Sequence, residues 1–276
     1  MDPLILLIIF FVSVFVGVIT SMFGIGEGVL LIPFLTLAAG IPIQIAIATS
    51  LVSTIANSSA ASMTYVKDRR LNLRLALWFA ITATLGAIIG AEIAAQTNRT
   101  LLTEIFAAAL VGTAVVMFLR RKNVDAVRSA GLRDAQYDRF QLDGSYTDAT
   151  TERVTYQVRN PLLGLLSGFV AGNASGLLGI GGGIINVPVM TLGMRVPIKV
   201  ATGTSALIIG LTTSVGAVIY YANGFVQPLL AAIVLEAVFV GALIGPRLQG
   251  KVRNEALTAI FAVILVILAS LMVLRP

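Results

Sequence analysis

Eight long apolar runs, separated by short polar segments, make up most of the chain. Most of them approach the ~20 residues that a helix needs to cross a bilayer. Backbone groups in lipid must be satisfied within the spanning element, so these runs are predicted to be helices. The pattern therefore predicts an all-α polytopic membrane protein. The runs are residues 3–23, 42–66, 75–95, 101–119, 161–178, 197–222, 228–248 and 256–274.

The composition argues against several classes of function. Of the 276 residues, 57% are hydrophobic and 12% are charged, against about 25% charged residues in soluble domains. The chain has no Cys and no His, and no Asp lies within an apolar run. A catalytic dyad or zinc site is therefore not expected, and neither is a cofactor, a metal or an enzymatic activity. The net charge of +6 is attributed to cytoplasmic loops, so nucleic-acid binding is not expected.

The chain contains two copies of one pattern, 155 positions apart. Between residues 24–50 and 179–205, 12 of 27 positions are identical, and the match includes "GIGEGVLLIP" and "GIGGGIINVP". Internal repeats of this kind occur in many secondary transporters. The predicted organisation is a first transmembrane repeat (1–120), a hydrophilic cytoplasmic connector (121–159) and a second transmembrane repeat (160–276).

Basic residues alternate out of phase between the repeats. The 67–74 segment carries four basic residues, whereas the equivalent 222–229 segment has none. Inverted repeats would place 17 of the 19 basic residues in the cytoplasm, and parallel repeats would place 13 there. The positive-inside rule therefore favours two inverted repeats in the cytoplasmic membrane, with both termini outside.

Inversion requires an odd number of crossings in each repeat, and residues 43–119 supply three. Residues 3–40 must then return to the side from which they enter, either by two full crossings or as a re-entrant hairpin. The limb 27–39 would span about 20 Å as a helix, which is short for the roughly 30 Å apolar core. A broken or re-entrant helix in each repeat is expected, and the sequence leaves both arrangements open.

Each repeat carries a glycine-rich motif that leads into an apolar segment with a proline. Glycine permits positive φ and close approach of a ligand to the main chain, and a loop that leads into a helix N-terminus can bind an anion. Glycines also let membrane helices pack closely, which is the interpretation for Gly86, Gly90, Gly241 and Gly245. Repetition of the motif favours a binding site over packing. The motif glycines are Gly24, Gly26, Gly28, Gly179, Gly181 and Gly183.

These motifs, together with the "ATS" and "GTS" triplets at 48–50 and 203–205, resemble those of the sulfite exporter TauE/SafE family. The resemblance covers both repeats. It implies a membrane transporter of small, mostly sulfur-containing anions, such as sulfite, sulfoacetate, thiosulfate or related organosulfonates. Glu27 departs from the repeated pattern, because Gly182 stands at the equivalent position.

Polar residues within the apolar runs are further candidate anion ligands. Two pairs of hydroxyls lie about two turns into their helices, roughly 12 Å below opposite surfaces. Such hydroxyls either bind a ligand or bond their own backbone, and three Asn side chains are additional candidate donors. These candidate substrate-binding residues are Thr49, Ser50, Thr204, Ser205, Asn57, Asn173 and Asn186.

Two carboxylates are candidate proton carriers. Glu27 lies in the first motif, and Glu236 lies in the run 228–248. An ionised carboxylate repels a nearby anion, so protonation and anion binding favour each other. A structural hydrogen bond is the alternative role for each residue. Glu27 is the preferred carrier because it breaks the symmetry of the motif.

The sequence thus predicts a secondary transporter that moves a small anion held by helix N-termini and hydroxyls near the middle of the membrane. An anion channel on the same scaffold is the alternative, and saturable, gradient-coupled flux separates the two. The expected partners are the anion and the lipid bilayer, while a homodimer stays open.

Overall fold

The computed structural model describes residues 3–23, 26–120, 141–147, 153–248 and 254–274. It is mainly helical, which confirms the predicted all-α class. The helices of the first half are α1 (Pro3–Phe23), α2 (Gly28–Leu37), α3 (Ile43–Lys67), α4 (Leu73–Gln96) and α5 (Arg99–Arg120). Those of the second half are α6 (Pro161–Leu178), α7 (Gly183–Pro188), α8 (Ile198–Ala222), α9 (Pro228–Leu248) and α10 (Asn254–Leu274).

Six helices in the described ranges are long and apolar enough to cross a membrane, namely α1, α3, α4, α6, α8 and α9. Their outer faces carry large exposed apolar side chains, such as Phe11 and Phe15 on α1 and Ile81 and Leu85 on α4. Lipid is the solvent that such faces require, since exposed apolar area of this extent is unfavourable in water. The chain is therefore a multi-pass membrane protein, as predicted.

The helices repeat along the chain in the register of the sequence repeat. The starts of α3, α4 and α5 differ from those of α8, α9 and α10 by 155 positions each, and α3 and α8 both contain 25 residues. Between equivalent helices there is neither insertion nor deletion. The two halves are therefore copies of one helical unit.

Each half contains a discontinuous helix at its glycine motif. The helix is interrupted between α1 and α2 and again between α6 and α7. In the second break, Gly179, Gly181 and Gly182 have φ between +66° and +77°, a region that side chains disfavour. Helix α2 has 10 residues and reaches about 15 Å at 1.5 Å per residue. It is too short to cross, so the broken helices that the sequence predicts are present.

A proline in each short helix changes its hydrogen bonding. Pro33 lies within α2, and Pro188 ends α7. Proline has no N–H to donate, and its ring disturbs the preceding turn. After Pro188 the chain continues as a π-helical turn, Val189–Gly193, which is a common local response to such a disturbance.

The two halves interlock through glycines. Helix α4 packs on α6, and its repeat equivalent α9 packs on α1. A Cβ at Gly86 of α4 would collide with the carbonyl of Phe169 on α6, and a Cβ at Gly241 of α9 would collide with the carbonyl of Val14 on α1. Both the glycines and their partners are 155 positions apart. The structure thus puts these glycines, as predicted, where the helix backbones touch.

A polar cluster around Asn72 joins the two halves at one end of the bundle. The Asn72 side chain caps α4 by accepting a hydrogen bond from the N–H of Leu75 (3.0 Å), and its Nδ2 donates to the carbonyl of Leu142 (2.8 Å) and to the hydroxyl of Tyr156 (2.9 Å). Its backbone N–H donates to Thr204 Oγ1 on α8 (3.1 Å). Burial raises the pKa of Tyr156, so its hydroxyl is neutral at physiological pH.

Tyr156 belongs to an antiparallel hairpin of β1 (Gly144–Thr147) and β2 (Arg153–Tyr156), in which Gly144 pairs with Tyr156. This hairpin lies within the predicted hydrophilic connector 121–159. Residues 121–140 and 148–152 of the connector lie outside the described residues. The described part is thus a small folded element held against the helix bundle.

Candidate functional site

The two glycine motifs meet at equivalent residues, Gly26 and Gly181. A Cβ added at Gly26 would lie 2.8 Å from Cα of Gly181, and a Cβ added at Gly181 would lie 2.8 Å from Cα of Gly26. Side chains are therefore excluded from both positions, and φ of +77° at Gly181 disfavours one there independently. Gly24, also predicted for this site, lies outside the described residues.

A second pair of motif glycines packs next to this contact. The Ser50 hydroxyl donates to the carbonyl of Gly179 (3.2 Å), and a Cβ at Gly28 would collide with that carbonyl. Gly179 ends α6, while Gly183 begins α7 behind Gly182. The predicted motif residues in the described ranges therefore converge from both repeats.

The four predicted hydroxyls are all fully buried, but they have different surroundings. Ser50 reaches the second motif, whereas Thr204 accepts the hydrogen bond from Asn72 at the end of the bundle. Thr49 Oγ1 has no hydrogen-bond partner among the described residues, and Ser205 does have a partner. Ser50 thus contacts the second motif, while Thr49 is buried without a hydrogen-bond partner in the described part of the chain.

The three predicted Asn residues are also separated. Asn57 on α3 contacts Glu27. Asn186 on α7 is buried, and its Oδ1 has no partner in the described part of the chain. Asn173 belongs to the packing between α6 and α4, where its backbone lies against Gly86 and Gly90.

Glu27, between the break and α2, is fully buried. Its Oε2 accepts a hydrogen bond of 2.6 Å from Nδ2 of Asn57, while its Oε1 has no partner among the described residues. The side chains of Ser53 and Thr54, one turn before Asn57 on α3, lie close to the carboxylate, and neither forms a hydrogen bond with Oε1. In contrast, the other predicted carrier, Glu236, is exposed on α9 and is not part of this cluster.

A small cavity borders this cluster. It lies between the end of α1, the first motif, α3 and α8, and its lining includes Thr20, Ser21, Gly26, Thr54 and Asn57. The remaining lining residues are Ser58, Ala61, Ala206 and Ile209. The hydroxyl of Tyr65 donates to the carbonyl of Ser21 at this edge (3.2 Å).

Thr20, Ser53, Thr54 and Tyr65 were not among the residues predicted for the site. A signal for the α3 residues was present, since Ser50, Ser53, Thr54, Asn57 and Ser58 recur three or four positions apart. This spacing puts side chains on one face of a helix. A polar stripe on a spanning helix faces protein rather than lipid, so the stripe indicates the site-facing side of α3.

Spanning helices that enclose two discontinuous helices and a buried carboxylate at their meeting point are the architecture of a membrane transporter. The comparison with known families specifies which kind. The chain belongs to the sulfite exporter TauE/SafE family, whose model matches residues 9–272.

Individual relatives are similar over most of their length. The chain is 26% identical over 259 residues to "Probable membrane transporter protein YunE" of Bacillus subtilis, covering 91% of each chain. It is 24% identical over 286 residues to a "Probable membrane transporter protein" of Methanocaldococcus jannaschii, covering 98% of this chain and 96% of the relative. A third relative, "Probable membrane transporter protein YdhB" of Bacillus subtilis, is 26% identical over 257 residues, with coverage of 92% and 95%. No solved structure matches the chain.

Proposed function

We propose that the protein is a secondary transporter that carries a small sulfur-containing anion across the cytoplasmic membrane. The observation that carries the proposal is the contact of the two glycine motifs at Gly26 and Gly181, beside the buried carboxylate of Glu27. The family supports the class of anion, which is sulfite, thiosulfate or an organosulfonate such as sulfoacetate. Discontinuous helices that meet at the centre are the usual substrate site of carriers built from repeats.

The anion would be held by backbone dipoles and neutral donors. Helices α2 and α7 both begin at the junction, and the positive ends of their dipoles favour an anion there. The unpartnered hydroxyl of Thr49 can donate to it. Asn186 can present its amide nitrogen instead of its unpartnered oxygen after a rotation of the amide. Binding without a Lys or Arg suits a carrier, because cargo held too tightly is released slowly.

We also propose that the two repeats are inverted and that 121–159 lies between them as a cytoplasmic connector. Helices α4 and α6 begin together, since Trp78 Nε1 donates to the carbonyl of Pro161 (2.9 Å). Helices α1 and α9 end together, because Gly245 of α9 packs on Ser21 of α1. Helix α3 also ends there, since the hydroxyl of Tyr65, close to its end, donates to the carbonyl of the same Ser21. Helix α9 therefore ends near the place where α4 begins. Opposite directions of these equivalent helices support inversion.

Glu27 is proposed as the coupling group. A buried carboxylate without a positively charged partner is costly in its ionised form, and the ion pair found in the described residues, Arg70–Asp68, lies in the 68–72 loop. Protonation removes that cost and also the repulsion of a bound anion. Proton uptake and anion binding would then support each other.

The test is anion flux into liposomes at a fixed anion gradient, with and without a proton gradient. Sulfite, thiosulfate and sulfoacetate are compared in the parent protein. Glu27→Gln should still transport but lose the response to the proton gradient, because the amide stays neutral. Glu236→Gln is the matched control, since Glu236 is exposed on α9, and it should keep the response.

Three results would contradict parts of the proposal. If none of the three anions is transported, the substrate class is wrong. If flux rises without saturation as the anion concentration increases, the protein is a channel. If Glu27→Gln responds to the proton gradient as the parent does, Glu27 is not the coupling group, and a lost response in Glu236→Gln would assign that role to Glu236.

A further inference from the structure

We propose that the pocket around Glu27 is a binding site for a small alkali cation, with Na⁺ as its probe, and that Na⁺ and a proton are alternative occupants of this one carboxylate. The role of the cation in transport rests on the proposed function. Its binding does not, because binding is argued from the pocket itself.

The side chains around Glu27 present more acceptor oxygens than available hydrogen-bond donors. Thr20 Oγ1 donates its hydrogen to the carbonyl of Val16 (2.9 Å), and Ser53 Oγ donates to the carbonyl of Ser50 (3.1 Å). Both hydrogens of the Asn57 amide are also used, since Nδ2 donates to Glu27 Oε2 and to Thr20 Oγ1 (3.2 Å). Most of the donors in the cluster are therefore engaged.

The oxygens that remain are buried and in need of a partner. Glu27 Oε1 and Thr54 Oγ1 have none among the described residues. The Thr54 hydroxyl carries one hydrogen, which can serve Oε1, and it still presents lone pairs, while Oδ1 of Asn57 and the lone pairs of Ser53 Oγ are additional acceptors. Buried polar atoms without partners are rare and point to a missing water or ion. A proton on Glu27 would supply one donor, whereas a single cation contacts several oxygens at once.

The electrostatic surroundings of the cavity also favour a cation. Helix α1 ends at Phe23, and its last turn lines the cavity through Thr20 and Ser21. The C-terminal end of a helix carries partial negative charge, and in transporters with discontinuous helices such ends coordinate Na⁺. This charge adds to that of Glu27. The titratable side chain at the edge of the cavity is Tyr65, whose hydroxyl donates to the Ser21 carbonyl. The charges that act on Tyr65, those of Arg70 and Asp68, form an ion pair with each other in the 68–72 loop.

The second repeat does not reproduce the polar side chains that surround Glu27 in the first repeat. The second repeat replaces the ligands with residues that cannot coordinate a cation in the same way. The residues at the positions equivalent to Glu27, Ser53, Thr54 and Asn57 are Gly182, Ile208, Ile209 and Thr212. The hydroxyl of Thr212 donates within its own helix, to the carbonyls of Ile208 and Ile209. One cation per chain is therefore expected.

The test measures Na⁺ binding to the purified full-length protein, in detergent and without any anion substrate. Thermal unfolding is followed in NaCl, KCl and choline chloride at equal ionic strength, and ²²Na⁺ binding is measured directly. NaCl should raise the Tm above its value in choline chloride, and the rise should be larger at pH 8 than at pH 6, where the proton competes. Bound ²²Na⁺ should saturate at one per chain.

The variants assign this effect to the pocket. Glu27→Gln should abolish the Na⁺-dependent rise in Tm, and Thr54→Val, which keeps the size of the side chain, should weaken Na⁺ binding roughly tenfold or more. Thr212→Val is the matched control, because it removes a buried hydroxyl at the position equivalent to Asn57, and it should keep Na⁺ binding.

The proposal is overturned if the parent shows no Na⁺-specific stabilisation or binding, or if both Glu27→Gln and Thr54→Val bind Na⁺ as the parent does. A proton-coupled anion flux without Na⁺ binding would refute this inference and leave the proposed function intact. Na⁺ binding without transport of any sulfur-containing anion would support this inference and refute the substrate class of the proposed function.

Discussion

The two repeats agree in how they pack and differ in the polar side chains that they bury. Equivalent glycines bring equivalent helices together, and equivalent tyrosines, Tyr65 and Tyr220, are both buried with their hydroxyls on the end of the preceding long helix. The buried carboxylate of the first repeat, however, has no equivalent at the described position 182 of the second, since Gly182 replaces Glu27. A duplicated scaffold can thus retain its symmetry in the contacts between helices while one copy alone supplies the charged group.

The largest expected effect concerns the direction of the repeats. Asp68 and Asn223 occupy equivalent positions and are both exposed. The chain has no cysteine, so Asp68→Cys and Asn223→Cys can be labelled singly with an impermeant thiol reagent, with the parent as the blank. Inverted repeats place the two cysteines on opposite sides of the membrane, and Arg195→Cys should label from the same side as Asp68→Cys. Labelling of both equivalent positions from one side would show that the repeats are parallel.

The next effect tests whether the glycine junction is equally intolerant in both repeats. Gly26→Ala and Gly181→Ala should each abolish transport, because the added Cβ meets the backbone of the other motif. Gly181→Ala should also destabilise the protein by about 1–2 kcal/mol more, owing to its positive φ. Flux and thermal unfolding measure the two effects separately.

Gly224→Ala is the control for backbone strain alone. Gly224 has φ of +75°, and nothing lies within 4 Å of an added Cβ. It should be destabilised and still transport. Normal transport by both junction variants would place the substrate site elsewhere.

A smaller difference is expected at the turns that precede α4 and α9. Asn72→Ala removes the cap of α4 and the bonds to the hairpin, so it should lower the free energy of unfolding by about 1–2 kcal/mol. Its equivalent Gln227 contributes its backbone carbonyl to the bond from Ala231, and Gln227→Ala should change stability by less than about 0.5 kcal/mol. Thermal unfolding of the two variants is compared, and the difference measures what the Asn72 side chain contributes through the cap and the hairpin bonds. Equal losses of stability in both variants would contradict that contribution.

The smallest effect separates the two tyrosines. Tyr65→Phe and Tyr220→Phe each remove one buried hydroxyl, at 3.2 Å and 3.4 Å from its acceptor, and each should cost about 1 kcal/mol of stability. The acceptor of Tyr65, Ser21, lines the cavity near Glu27, so transport should fall in Tyr65→Phe and change less in Tyr220→Phe. A larger fall in Tyr220→Phe would contradict the assignment of the functional pocket to the first repeat.

Helix positions could be predicted from the sequence because they depend on local properties. The apolar run 42–66 corresponds to α3, which ends at Lys67, and the break at each motif follows from glycines and prolines that interrupt helical hydrogen bonding. The packing role of Gly86 and Gly241 could also be inferred, since small residues at equivalent positions indicate close helix contacts.

The composition of the pocket could not be predicted to the same extent, because it depends on contacts between distant segments. Ser53 and Thr54 lie on the polar stripe of α3, yet only the position of the first motif against this helix makes them neighbours of Glu27. Thr204 has the same local sequence context as Thr49, but the 68–72 loop reaches its hydroxyl. The connector and its hairpin lie between the two copies of the repeat, so the repeat gave no information about them.

The interlocking of the halves has a consequence for the order of assembly. Helix α1 is synthesised well before its main partner α9, which begins only at Pro228. Until then, Gly17 and the rest of that face of α1 must be covered by lipid or by another protein, because the backbone of Val238 that packs on Gly17 is not yet made. The partner of helix α4, which is α6, is synthesised after a shorter stretch of chain. Biogenesis of the first half is therefore completed by the second, and neither half is a self-sufficient folding unit.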